Sequence, residues 1–325
     1  AHVPTLQKIA RAIAQAEGLD WEVLDIRGAA APDADALAAL LDRAVSGYDH
    51  MANPLEKAAF ITAGHGRAMS ARFSGQNGEI LRGFYYPAQP LEATPSEALA
   101  RRLIALRVAV NDKVDRSILR PAMRGELTAG AETRMVSQIL GQGGNWGQTL
   151  DRLYLTHRMQ NWIGNAVCSR FVDHVALYPF FDSAFLASAL ALPPAQKVNS
   201  RAAYRLLMDL DPALAARPLD TGLIPAAAPK TRLGGALADL RLDANRVANR
   251  LRRRLKGVAR STIGSETVAQ QWRRMGLYKR LPVQALSRTG LFEDAGLERV
   301  ASGEWLPDRP TLGFLLMVAG LETRA

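Results

Sequence analysis

Tyr178-Pro179-Phe180-Phe181-Asp182-Ser183-Ala184-Phe185-Leu186-Ala187-Ser188-Ala189-Leu190-Ala191-Leu192-Pro193-Pro194 is the stretch on which the fold assignment turns. Asp182 stands where a carboxylate accepts backbone N–H bonds at a helix start, so a helix is expected from Ser183 to Leu190. Pro193 and Pro194 cannot continue it. Tyr178, Phe180, Phe181 and Phe185 fit the entry and buried face of that helix, which favours packing over a substrate platform. Asp182, Ser183 and Ser188 interrupt the apolar run well short of the roughly 18–20 residues a membrane span needs.

Working upstream, Leu6, Ile9, Ala10, Ile13 and Ala14 recur at helical spacing and Gly18 closes the run. Trp21 to Ile26 then suits a short strand, an α-then-β unit. Gly28 to Pro32 reads as a loop. Asp33 or Asp35 can cap a helix through Val45, and Asn53-Pro54 opens another. Met69 to Phe73 reads as a second strand running into the turn-rich Ser74-Gly75-Gln76-Asn77-Gly78-Glu79. From Ser96 onward helices follow one another: Leu103–Val110, Glu132–Leu140, Leu150–Phe171, Ser183–Leu190 and Arg201–Leu210. The pattern therefore predicts an incomplete α/β layer over residues 1–95 and a mainly helical part over 96–325.

Downstream of the opening stretch come Lys197, Arg201, Tyr204, Leu206 and Leu207, and then Arg217-Pro218 to Gly222 and Pro225. Together with Tyr178–Pro194 these blocks resemble the signature of the asparagine synthetase family, in which an aromatic-rich Pro-Phe-Leu-Asp precedes a helix ending in Leu-Pro and a lysine. Ser74 to Glu79 resembles the family's Ser-Gly-Glu-Gly-Gly-Asp-Glu loop, and Leu6 to Ile26 its preceding helix and strand. The resemblance covers about residues 1–225. It implies the C-terminal synthetase domain, with an adenine nucleotide alpha hydrolase-like α/β fold of ATP pyrophosphatase type: an incomplete parallel sheet flanked by helices.

It also implies a chemistry. ATP and Mg2+ activate a substrate carboxylate as an acyl-adenylate with release of pyrophosphate, and an amine then attacks to form an amide. Such chemistry needs a phosphate cradle, a carboxylate for magnesium and cations for the developing phosphate charge. Ser74, Gly75 and Gly78 are the candidates for close approach to phosphate, and Glu79 for magnesium and catalysis. Ile80 stands in place of the family's second acid. Lys197 and Arg201 are candidate catalytic cations, or helix-end residues complementing the dipole. Arg217 is a candidate phosphate ligand, although Leu219 replaces the lysine of the family's Arg-Pro-Lys.

The family's pyrophosphate-gripping Ser-Gly-Gly-x-Asp-Ser loop belongs ahead of the helix at Leu6, where five residues stand, so an N-terminally truncated domain lacking that loop is expected. Ser46-Gly47-Tyr48-Asp49 lacks the second glycine and reads as a capped turn. The family's glutaminase half is also absent, so the amine donor or glutaminase is expected to be a separate partner.

Composition sets the alternatives. Of 325 residues 48% are hydrophobic, enough for a sizeable core. The single cysteine, Cys168, excludes an internal disulfide, agrees with the cytoplasm, and reads as a packed thiol. His2, His50, His65, His157 and His174 lack zinc-ligand spacing, and His65, between two glycines, is the one candidate for a ligand-facing loop. The net charge of +10 is concentrated in Arg241 to Arg280, which holds twelve Lys or Arg against Asp243 and Glu266. That segment is either the solvated face of an amphipathic helix or a surface for anions. The alternatives to a ligase are thus a non-catalytic relative and an anion- or nucleic-acid-binding module, with nucleic acid the less favoured partner.

Overall fold

The computed structural model describes residues 6–23, 33–47, 52–64, 71–86, 90–108, 113–164, 176–219, 223–227 and 264–322. Its α-helices in chain order are α1 (Leu6–Ala16), α2 (Ala34–Ser46), α3 (Pro54–Gly64), α4 (Glu97–Leu103), α5 (Pro121–Leu140), α6 (Trp146–Leu153) and α7 (Ser183–Ala191). They continue with α8 (Pro194–Lys197), α9 (Arg201–Leu210), α10 (Pro212–Ala215), α11 (Ser265–Arg274), α12 (Val283–Arg288), α13 (Asp294–Ser302) and α14 (Arg309–Glu322). α4 and α6 run on into π-helical stretches, Ile104–Val108 and Tyr154–Ile163.

The described chain is predominantly helical, which corrects the expected α/β fold with a parallel sheet. Among the described residues, β structure is confined to β1 (Arg72–Phe73) and β2 (Ala176–Leu177), two residues each, paired in parallel with Arg72 opposite Ala176, and one isolated antiparallel bridge between Leu119 and Phe292. A strand of two residues has no row of ladder partners with which to build a layer. Trp21 to Val23, expected as strand, carries no regular structure. The remainder of that stretch and Gly28–Pro32, Met69 and Ser70, lie outside the described residues, as do His2, His50, His65, His174, Cys168 and residues 241–263 of the basic segment.

The helix ends follow local chemistry. Gly18, at φ +63°, turns the chain so that Leu19 N–H reaches Ala14 O at the end of α1. Asp33 caps α2, its carboxylate accepting from Ala36 N–H at 2.8 Å. Asn53 Oδ1 accepts from Leu55 N–H at 3.0 Å where Pro54 opens α3.

The chain divides into two compact units. One consists of Ala1–Leu24, Gly78–Tyr86 and Ser183–Arg260, the other of Asp25–Asn77, Pro87–Asp182 and Ser261–Ala325. The second unit holds the larger core. On α2, Leu37, Leu41, Ala44 and Val45 line one face; they and Leu55, Ala58 and Ala59 of α3 are buried. Val268, Ala269 and Trp272 of α11, Leu297 and Val300 of α13, and Leu312 and Leu315 of α14 share this core. Trp272, 2% exposed, packs edge-on to Tyr278 at 6.1 Å between ring centres. Backbone bonds from Arg120 N–H to Leu291 O (3.0 Å) and Glu293 N–H to Ile118 O (2.9 Å) pin the segment before α5 to the one before α13.

Candidate functional site

In the second unit, the β1–β2 pair carries the two sequence blocks singled out for the site. Ser74 N–H, just after β1, donates to Leu177 O at 2.9 Å. Asn77, whose side chain is 0% exposed, donates from Nδ2 to Phe180 O at 2.7 Å. Residues 103 apart in the chain are thereby joined. Asn77 adopts φ +73°, a left-handed conformation that asparagine tolerates better than most residues. Ser74 Oγ accepts from Gln76 N–H at 3.3 Å, closing the loop on itself. Gly75 faces open space, since a Cβ there would meet nothing within 4 Å, so packing within the chain does not explain its lack of a side chain. Tyr178 and Phe181 stack edge-to-face at 5.8 Å, and neither they nor Phe180 are core residues, being half-buried or exposed.

The first unit contains the C-terminal halves of the same blocks. A 3-10 turn, Gly78–Arg82, packs against α7, α8 and α9. Glu79 lies in its first turn, ion-paired to Arg82 at 2.6 Å. Ile80, where the resembled family has its second acid, is 1% exposed; a carboxylate there would be stripped of water, so an apolar side chain suits the position.

Lys197, the last residue of α8, is 0% exposed. A buried ammonium is stable only where acceptors answer it, which sets this lysine apart from the solvated helix-end reading. Between it and α9, Asn199 and Ser200 both adopt left-handed backbone, φ +53° and +65°. Two such non-glycine residues in succession cost on the order of 1–3 kcal/mol each, and strain of this size collects at functional positions. Ser200 places no capping side chain on α9. Arg201 therefore opens a helix directly after a strained turn. Arg217 donates from Nη1 to Ala12 O of α1 at 3.2 Å, so its guanidinium has a structural acceptor.

Thus Gly78, Glu79, Lys197, Arg201 and Arg217 belong to the first unit, and Ser74 and Gly75 to the second. What sequence reasoning missed is a cavity of about 580 Å3 in the first unit, between α7 and α9, with Leu81 beneath it. Arg201 and Arg205 line it one turn apart, and the only hint of it in the sequence was the Arg201-x-x-x-Arg205 spacing.

No protein-family model, curated protein or solved structure matches this chain. Among the described residues no group of three or more His, Cys, Asp or Glu could hold a metal. Magnesium bound with nucleotide phosphates takes one or two protein carboxylates and retains water, and Glu79, the carboxylate the sequence singles out, is ion-paired to Arg82. No described helix is long and apolar enough to cross a membrane. Two described arginines of the basic segment serve the fold: Arg273 meets Glu266 at 3.6 Å and donates to Pro307 O at 2.9 Å, and Arg280 pairs with Asp35.

Proposed function

We propose that the chain is an asparagine synthetase-like, ATP-dependent amide ligase domain acting in the cytoplasm, which activates a carboxylate as its acyl-adenylate for attack by an amine. One observation carries the reading: sequence blocks a hundred residues apart, chosen for their resemblance to that family, are joined by hydrogen bonds, Ser74 to Leu177 and Asn77 to Phe180. Packing of the Gly78–Arg82 turn on α7, α8 and α9 in the other unit points the same way.

In this reading Ser74 and Gly75 of the second unit, and separately Gly78 of the first, each allow a phosphate oxygen close to the backbone. Glu79 exchanges Arg82 for magnesium, which when bound neutralises phosphate charge. Lys197 and Arg201 stabilise the charge that develops as pyrophosphate leaves, and Arg217 adds to it on release from Ala12 O. Residues 1–325 contain no Ser-Gly-Gly-x-Asp-Ser sequence, so the grip on pyrophosphate comes from other chain, as does the amine or the glutaminase that generates it.

The test is release of pyrophosphate from ATP with a panel of carboxylates, in the presence and absence of magnesium. Magnesium-dependent release that falls at least ~100-fold in Glu79→Gln and Arg201→Gln is the expected result. A folded chain that releases none, alone or with the missing loop supplied in trans, would instead establish a non-catalytic relative.

A further inference from the structure

The cavity beside α9 has a composition that selects its ligand. Its floor and walls are apolar: Leu81, Phe185, Leu192 and Leu206 contribute side chains, with the buried Ala189 between them. At its rim α9 presents three charged, exposed residues one turn apart each, Arg201, Arg205 and Asp209. Among the described residues no ion pair engages Arg205 or Asp209. Two guanidinium groups thus stand at the edge of an apolar cavity.

The volume, about 580 Å3, lies within the range of small-molecule sites, which pair apolar walls with a few convergent polar groups. Arginine presents a fork that matches a carboxylate in two parallel hydrogen bonds. We propose that this cavity binds an amphiphile, an organic carboxylate whose apolar body lies on Leu81, Phe185, Leu192 and Leu206 while Arg205, with Arg201 beside it, holds its head group. Binding of this kind requires no ATP and is independent of the ligase reading; where both hold, this ligand class is the carboxylate to be activated.

Calorimetric titration of the full chain without ATP tests it, using hexanoate, octanoate and octanamide. Octanoate binds, and hexanoate binds roughly fifteenfold more weakly, because each of the two methylenes removed from the apolar wall costs about fourfold. Octanamide binds about tenfold more weakly than octanoate, since it forfeits the charge-assisted bonds. Arg205→Gln, at an exposed position that leaves the helical circular dichroism unchanged, lowers octanoate affinity by about tenfold and octanamide affinity little. Asp209→Asn removes the opposing charge and tightens octanoate binding about two- to fivefold. Equal affinities for octanoate and octanamide, equal affinities for hexanoate and octanoate, or no octanoate binding would each overturn the proposal, whatever the outcome of the pyrophosphate assay.

Discussion

Replacing Asn77 by alanine removes the Nδ2 donor from Phe180 O, a 2.7 Å bond at a side chain with no solvent exposure. Losing this part-buried hydrogen bond together with the packing of the buried Asn77 side chain costs about 1–3 kcal/mol. Alanine must also hold the left-handed φ of +73°, at a further ~1 kcal/mol or more. Asn77→Ala therefore loses about 2–4 kcal/mol. Asn77→Gly separates the two causes, because glycine takes the left-handed backbone freely. Both variants remove Asn77 Oδ1, which is buried without a hydrogen-bond partner, so that relief is common to them and about 1–2 kcal/mol is the expected loss for glycine. Urea unfolding followed by tryptophan fluorescence suits the measurement, since Trp146 and Trp272 are buried in the same unit. An alanine variant within ~0.5 kcal/mol of the parent, or a glycine variant as unstable as alanine, would refute the account of how the loop is held.

Other substitutions probe the helices. Gly303 ends α13 at φ +80° with Tyr278 so close that a Cβ would lie 2.7 Å from its ring; Gly303→Ala should lower stability by about 1–3 kcal/mol, read as a drop in Tm. Asn145 forms a capping box with Gln148 on α6 and also donates to Glu92 at 2.7 Å, so Asn145→Ala should cost about 1–2 kcal/mol by urea titration. Burial lowers the His157 pKa from its ordinary 6.5, so the folded chain holds fewer protons than the unfolded one just below that pH. Its stabilising effect is complete above pH 6.5 and is lost as pH falls toward the folded pKa. Unfolding titrations from pH 7 to 5 should show that loss, and His157→Gln should flatten it.

Where side-chain chemistry acts locally, the sequence was legible. α9 occupies Arg201–Leu210, the span its apolar spacing predicts, and α2 begins directly after Asp33. The strands failed for a physical reason. A run such as Met69–Phe73 satisfies local preference, but a strand persists only where another chain segment offers hydrogen bonds along its length, and among the described residues of that run Arg72 and Phe73 are the ones paired. The aromatic residues of Tyr178–Phe185 misled in a similar way: apolar spacing marks a face to be covered without naming what covers it, and here Phe185 borders a cavity. Loop Ser74–Glu79 was visible through its small residues, but the tie from Asn77 to a carbonyl 103 residues away had no local signal.

The chain passes from one unit to the other between Asn77 and Gly78 and again between Asp182 and Ser183, inside both of the blocks that suggested a function. Each unit is consequently assembled from three separate stretches of polypeptide, and no single cut in the gene isolates either of them. A terminal truncation deletes a piece of one while stranding the rest, so neither can be exchanged between proteins as a cassette.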